Sequence, residues 1–158
     1  MNNKIIYMIL GTVILMLLLA LVFILRAYFQ KCNDYEIQLI QLKSMNRLYS
    51  LWERGKGSEK ELKEFFCKYN IESVAIYGMG KAGKMLYDEI KKTGVEVRYA
   101  IDQKADRKYK DLQVVSPQSE LPEVDLVIIT VLYEYNVIAR ELRKKMNCLL
   151  LSLEQMLV

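Results

Sequence analysis

The chain contains no histidine among its 158 residues. A Ser-His-Asp triad, a Cys-His nucleophile pair and a histidine-ligated metal site are therefore excluded. Its three cysteines, Cys32, Cys67 and Cys148, are far apart and form no CxxC pair, so the sequence predicts neither a disulfide framework nor a zinc knuckle. We predict a reducing compartment and no bound metal.

Proline and glycine are also scarce, with 2 and 7 residues, while 53% of the residues are hydrophobic and 27% are charged. This composition excludes a disordered, collagen-like or low-complexity chain, and the length suits roughly one domain. Lysine and arginine (23) exceed aspartate and glutamate (19) by only four, and the basic residues are spread along the chain. The sequence therefore carries no sign of nucleic-acid binding.

The longest apolar run extends from Ile5 to Leu25 without a charged residue, between Lys4 and Arg26. As a helix it measures about 31 Å, which matches the hydrocarbon core of a bilayer. The run is longer than the apolar region of a signal peptide, and no cleavage site follows it, so we predict an uncleaved transmembrane anchor over residues 1–26. Basic residues are more numerous after the run than before it. This asymmetry predicts a single-pass protein of the cell membrane with a cytoplasmic C-terminal part.

Residues 27–54 lack glycine and proline and place apolar side chains three or four positions apart, the spacing of one helical face. These side chains include Tyr35, Leu39, Leu42, Met45 and Tyr49. We predict a juxtamembrane amphipathic helix whose apolar side packs on the soluble domain, pairs with a second copy or lies on the bilayer. After a linker at residues 55–57, Ser58 and Glu61 form a predicted capping box for a helix over residues 59–69.

From Ile71 onward, short apolar runs alternate with amphipathic stretches, which is the pattern of βαβ units. The predicted elements are strands at residues 73–77, 95–101, 112–115, 125–130 and 147–151 and helices at residues 81–93 and 136–145. We predict an α/β fold with a single Rossmann-like parallel sheet of about five strands in the order 3-2-1-4-5 and helices on both faces. The transmembrane and juxtamembrane helices precede this domain, which spans residues 58–158.

A glycine motif, Gly78-x-Gly80-x-x-Gly83, joins the first predicted strand to the following helix. In a dinucleotide-binding turn the first glycine allows the tight turn, the second lets backbone approach a pyrophosphate, and the third lets the helix pack on the strand. Asp102 ends the second strand about twenty residues later, where a carboxylate accepts hydrogen bonds from ribose hydroxyls; this favours NAD or a nucleotide-sugar over NADP. The alternative is that the glycines only permit the turn and that Asp102 only caps a strand end.

The candidate cofactor-binding residues are Gly78, Met79, Gly80, Lys81, Ala82, Gly83, Asp102 and Thr130. Thr130 is included because it ends the fourth strand at the same edge of the sheet, beside the first strand. Tyr133, Glu134 and Asn136 follow on that edge and either support the ligand or form an ordinary surface loop. Lys81 and Lys84 either neutralise phosphate or are solvated surface lysines.

No catalytic residue is predicted. Tyr87 and Lys91 have the Tyr-x-x-x-Lys spacing of short-chain dehydrogenases, but they lie in the helix just after the glycine motif, whereas that pattern belongs after a later strand. We interpret the spacing as coincidence. The globular part, from Ile71 to Val158, carries no second half that would bind a substrate, so we do not expect the chain to be an enzyme on its own.

A helix with Trp52, the segment IYGMGKAG at Ile76–Gly83 and a strand that ends at Asp102 follow one another in the chain. In this the chain resembles the small Rossmann-like domains of bacterial surface-polysaccharide gene clusters, the nucleoside-diphosphate-sugar epimerase-like or CoA-binding-like group. It is also similar to the nucleotide-sugar-binding domain of sialic-acid-type sugar O-acyltransferases, to the Rossmann domain of sugar C-methyltransferases and, more distantly, to dinucleotide-sensing domains of potassium channels and transporters. It lacks the acyltransferase β-helix and the methyltransferase domain. The resemblance implies nucleotide contacts at the three glycines and at Asp102.

These observations give three hypotheses for the function. The first is a membrane-anchored cytoplasmic module that binds a nucleotide, dinucleotide or nucleotide-sugar and acts as an accessory or sensor subunit in bacterial surface-polysaccharide biosynthesis. The second is a ligand-free scaffold that recruits a glycosyltransferase or another membrane partner; a second copy of the chain is a further possible partner. The third is a subunit of an NAD-dependent sugar-modifying enzyme that another chain completes.

Overall fold

The computed structural model describes residues 2–55, 57–105 and 108–158. The first residue of the predicted anchor and the centre of the predicted linker lie outside these ranges. The described chain divides into two compact units, one that extends up to Ile40 and one formed by Gln41–Val158.

The N-terminal helix α1 comprises Asn2–Glu53 and runs through Arg26 without a break, so the predicted anchor and the predicted juxtamembrane helix are parts of one helix. Within the described ranges it is the one helix long and apolar enough to cross a membrane. The large apolar side chains from Ile6 to Leu25 are all exposed. A continuous apolar surface of this size is suited to lipid rather than to water.

The second unit is built around one parallel sheet. After α1 the elements are α2 at Glu59–Lys68, β1 at Ser73–Tyr77, α3 at Lys81–Thr93, β2 at Glu96–Ile101, β3 at Val114–Val115, β4 at Leu126–Ile129, a 3-10 turn at Leu132–Glu134, α4 at Tyr135–Leu142, β5 at Leu149–Ser152 and α5 at Leu153–Leu157. The strands are parallel and lie in the order β3-β2-β1-β4-β5, which confirms the predicted fold class and strand order. The carboxyl end of β1, where the glycine motif begins, therefore lies at the point where the strand order reverses.

Two hydrophobic cores lie on opposite faces of the sheet, because successive residues of a strand point to opposite sides. On one face, Val74 and Ile76 of β1 pack with side chains of α2, α3, α5 and the end of α1. On the other face, Ala75 packs with α4 and with side chains of the connecting loops. The four residues of β4, Leu126–Ile129, are completely buried, so this strand belongs to both cores.

The last part of α1, Gln41–Glu53, belongs to the α/β unit, and we call it the cover segment. Leu48 is only 3% exposed and is a member of the first core. Met45, Leu51 and Trp52 are partly buried against the same core. Of the three partners considered for the apolar helix face, the soluble domain is therefore the one that this part of the helix contacts.

Several local predictions are wrong at the ends of elements. The Ser58 side chain makes no capping bond, so the predicted capping box at the start of α2 does not form. The strand predicted at residues 112–115 is shorter because Leu112 instead pairs with Tyr109 in an antiparallel bridge. Helix α5 is an element that the sequence pattern did not predict, and it begins with a capping box at Ser152.

Candidate functional site

The turn from Gly78 to Gly83, called the glycine turn below, connects β1 to α3. Gly78 has φ +93°, a conformation that L side chains rarely adopt, and a Cβ there would lie 2.7 Å from the Thr130 hydroxyl oxygen. A Cβ on Gly83 would lie 2.0 Å from the carbonyl oxygen of Gly78. The first and third glycines of the motif are therefore required by the packing of the chain itself.

Gly80 differs from the other two glycines. It is the N-cap of α3 with φ −68° and ψ −164°, an extended conformation open to any residue. A Cβ built on it meets no atom of the described residues within 4 Å. Helix N-caps favour Ser, Thr, Asn or Asp, whose side chains accept a hydrogen bond from the first free N–H groups. Glycine at this position leaves the start of α3 without a side-chain cap and leaves open space above the backbone.

Asp102 follows β2 and faces the glycine turn. Its Oδ2 accepts a hydrogen bond from the N–H of Met79 at 2.7 Å, and its Oδ1 accepts one from the N–H of Lys104 at 2.9 Å. The carboxylate therefore fixes the turn to the end of β2 in addition to any ligand contact. Each carboxylate oxygen has a second lone pair that remains available to a hydroxyl donor.

Thr130 follows β4 and is tied to the same turn. Its hydroxyl oxygen lies 3.0 Å from the carbonyl oxygen of Tyr77 and 2.8 Å from that of Gly78, and the hydroxyl donates to this pair. The residue is 8% exposed. Thr130 thus holds the end of β1 to the end of β4, a structural role that its position at a strand end did not reveal.

A cleft on the β2 side of the glycine turn has a volume of 390 Å³. We call it the β2-side cleft; it is lined by Met79, Gly80, Lys84, Asp102, Lys104, Lys108, Tyr109 and Val114. The Tyr109 ring is held in place by the edge of the Tyr87 ring at 5.6 Å and by the Lys84 ammonium at 5.2 Å from its centre. Among the described residues that line it, three lysines against one aspartate make this cleft a suitable environment for an anion.

A smaller cavity of 240 Å³ lies on the β4 side, between the glycine turn and the cover segment. We call it the β4-side cavity; its lining includes Gln41, Ser44, Met45 and Leu48 of the cover segment and Gly78, Gly80, Lys81, Ala82, Asp102 and Thr130 around the turn. The Lys81 ammonium lies 5.0 Å from the centre of the Tyr49 ring, which also belongs to the cover segment. The cavity and the β2-side cleft meet at Gly80 and Asp102, which line both.

The three residues after Thr130 that were predicted to support a ligand lie in three different places. Tyr133 lines the β4-side cavity. Glu134 lies instead in a depression beside Tyr77. The pKa of the Tyr77 phenol is raised, mainly by burial and to a smaller extent by the negative charges of Glu134 and Asp102. Asn136 lines a third depression, away from the turn. Only one of the three predicted supporting residues is therefore at the site.

Tyr87, which is buried in the first core, and the exposed Lys91 form a cluster with Asp111. The Tyr87 hydroxyl and the Lys91 ammonium each lie 2.5 Å from one oxygen of the Asp111 carboxylate. These two hydrogen bonds lower the pKa of Asp111 to about 2, with the contribution of Lys91 the larger. The Tyr-x-x-x-Lys spacing thus serves an ion-pair cluster that lines neither the cleft nor the cavity.

The predicted site residues did not include Lys104, Lys108, Tyr109 or any residue of the cover segment. No family model, curated protein or solved structure matches the chain. The site consists of a turn in which packing does not require one of the three glycines, a helix start without a side-chain cap and two adjoining spaces of different size.

Proposed function

We propose that the chain is a membrane-anchored module that binds a nucleotide, dinucleotide or nucleotide-sugar at the glycine turn. The observation that carries this proposal is the open space above Gly80. Gly78 and Gly83 are needed for folding, whereas the fold itself would accept a better N-cap than Gly80. A backbone without a side chain at this point favours close approach by a phosphate group.

The electrostatics around Gly80 support an anionic ligand. The first N–H groups of α3 lack a side-chain cap, and the positive end of the helix dipole lies at the same place. Lys81 and Lys84 lie in the first turn of this helix, and further lysines line the β2-side cleft. In this arrangement the phosphate lies at the start of α3 and the ribose hydroxyls donate to Asp102.

We propose a binding role rather than a catalytic one. Asp102 is the one carboxylate that lines either space within the described residues, and both of its oxygens already accept backbone N–H groups. A group held in this way is suited to orienting a ligand and poorly suited to proton transfer.

The membrane anchor and the cellular role are further parts of the proposal. The uncharged stretch of α1 that ends at Leu25 supports the anchor, and the basic residues that follow it support a cytoplasmic α/β unit. A role as an accessory or sensor subunit in bacterial surface-polysaccharide biosynthesis rests on the family resemblance of the segment Ile76–Gly83.

The test is equilibrium dialysis of the full chain in detergent micelles against NAD, NADP, CoA, nucleoside diphosphates and UDP- and CDP-sugars. We expect saturable binding of one class. The Gly80→Asp variant supplies a favoured N-cap. Its free energy of unfolding should equal that of the natural chain or exceed it by about 0.3 kcal/mol. Its carboxylate would occupy the phosphate position, so the affinity should fall at least about tenfold.

The matched control is Ser58→Asp, which places the same charge at the N-cap of α2. This variant should bind like the natural chain. Unchanged affinity in the Gly80→Asp variant would contradict the proposed site.

The second candidate function is a ligand-free scaffold that recruits a membrane enzyme such as a glycosyltransferase. One observation favours it: Gly78, Gly83, Asp102 and Thr130 all have roles within the fold itself. A folded full-length chain that binds none of the nucleotides would support this candidate. Crosslinking in membranes would then identify the recruited partner.

A further inference from the structure

The part of α1 between the predicted anchor and the cover segment carries an apolar stripe of its own. Its members are Tyr28, Cys32, Tyr35 and Leu39, which we call the seam. They are spaced alternately by four and three residues, the repeat of two helices that wind around each other. All four are exposed, and the three large side chains are 51–65% exposed. The described residues therefore leave the seam uncovered.

Lipid does not reach the outer half of the seam. Because α1 is a single helix that rises about 1.5 Å per residue, Tyr35 and Leu39 lie about 15 Å and about 21 Å beyond Leu25, the last residue of the apolar run. The headgroup layer that borders the hydrocarbon core is about 8 Å thick or less. A tilt of about 20° shortens these distances by less than about a tenth. These side chains therefore lie in water, where an apolar stripe is suited to a protein partner.

The charges beside the seam favour a second copy of the chain as this partner. In the heptad that the seam defines, Lys31 and Glu36 occupy the two positions that flank it on opposite sides. When two such helices are parallel and in register, Lys31 of each lies beside Glu36 of the other, so the pair forms twice. Both residues are exposed, and neither has an ion-pair partner within the described residues. Anchors that enter the bilayer from the same side impose the parallel direction.

We propose that α1 pairs with α1 of a second copy along the seam, as a short parallel coiled coil next to the membrane. This inference rests on the proposed membrane anchor and is independent of nucleotide binding. Packed helices lie about 8–10 Å apart and carry their Cα atoms about 2.3 Å from the axis, so Cα atoms that face each other are about 5 Å apart. A disulfide requires about 4.4–6.8 Å, which places the two copies of Cys32 within bonding distance.

The natural cysteine of the seam provides the first test. The full chain with Cys67→Ser and Cys148→Ser is reconstituted in phosphatidylcholine vesicles, floated with them to establish anchoring, and oxidised with copper phenanthroline and dissolved oxygen. We expect a covalent dimer through Cys32. The matched control adds Cys32→Ser and Asn33→Cys, which moves the thiol by about 100° around the helix to another exposed position. It should crosslink at least about tenfold more slowly, because its thiols are not held together.

The outcomes separate this inference from the proposed function. Equal rates of crosslinking at positions 32 and 33 would overturn the pairing and leave the nucleotide site unaffected. A chain that does not float with the vesicles would overturn the anchor and the pairing together, again without bearing on nucleotide binding.

Two neighbouring residues test the choice of helix face. Leu39 lies on the seam and Ile40 lies off it, and both are 51% exposed. Leu39→Lys should raise the dissociation constant of the dimer at least about tenfold in sedimentation equilibrium of the full chain in detergent micelles. Ile40→Lys is the matched control, because each new lysine lies within about one turn of both Glu36 and Lys43. It should leave the dissociation constant unchanged, and equal effects of the two variants would contradict the seam.

A charge exchange tests the flanking pair. Glu36→Lys places lysines beside each other on both sides of the dimer, so the dissociation constant should rise about fivefold or more. Addition of Lys31→Glu to this variant restores opposite charges between the copies and should restore the natural affinity. Failure of the second change to rescue the first would overturn the parallel pairing.

Discussion

Replacement of Gly83 by alanine should destabilise the α/β unit strongly. The new Cβ would lie 2.0 Å from the carbonyl oxygen of Gly78 and 3.1 Å from its carbonyl carbon. Both are backbone atoms, so relief requires α3 to move away from β1, and overpacking of this kind costs about 3 kcal/mol. Alanine is also the better helix former by about 1 kcal/mol, which leaves a net loss of about 2 kcal/mol. For a domain of this size the midpoint of thermal unfolding should fall by about 8 °C.

The assay is urea unfolding of the full chain in detergent, followed by the fluorescence of Trp52 and checked by thermal unfolding. Gly80→Ala is the comparison, because its Cβ meets open space and it should cost about 1 kcal/mol or less through the weaker N-cap. The reasoning would be refuted if Gly83→Ala were as stable as the natural chain, or more stable than Gly80→Ala.

Two further predictions concern other parts of the molecule. Leu48→Ala should lower the free energy of unfolding by about 2–5 kcal/mol because the side chain is buried in the core. Trp52 fluorescence should shift to the red as the cover segment loosens. The control is Leu42→Ala, at a position 59% exposed, which should change the free energy of unfolding by less than about 0.5 kcal/mol. The pKa of Asp111 is lowered from 3.8 to about 2 in the folded state. The interactions of Asp111 therefore stabilise the fold fully at pH values above 3.8, and this stabilisation is lost as the pH falls toward about 2. Unfolding curves at pH values across this window should show a steeper loss of stability for the natural chain than for Asp111→Asn, and parallel losses would contradict the assignment.

The sheet and its strand order were predictable because residues that end strands and helices separate the apolar runs of the sequence. Strand β1 and helix α3 have the predicted bounds, since Gly78 ends the first and Gly94, with φ +87°, ends the second. The short β3 was harder to place, because Leu112 has the same apolar character in a strand and in the bridge that it forms with Tyr109. Apolar patterning reports burial, and it does not distinguish the partners that produce it.

The site was predictable only where one residue type has one physical use. Positive φ and close backbone approach explain Gly78 and Gly83, and both follow from the motif. The motif does not show which second partner a polar side chain will have. The hydrogen bond from the Met79 N–H to Asp102 was therefore not predicted. The contribution of the cover segment was equally hidden, because helical periodicity defines an apolar face without naming the surface that it meets.

The first core joins residues from both ends of the α/β unit, and this has a consequence for synthesis. Leu48 is translated before Leu153, Met156 and Leu157 of the same core. The core therefore cannot close before α5 has been made, and apolar surface of α2, α3 and β1 stays accessible to chaperones until α5 emerges. Nascent chains stalled before residue 153 should accordingly be sensitive to proteases along the whole unit, and emergence of α5 should protect it in a single step.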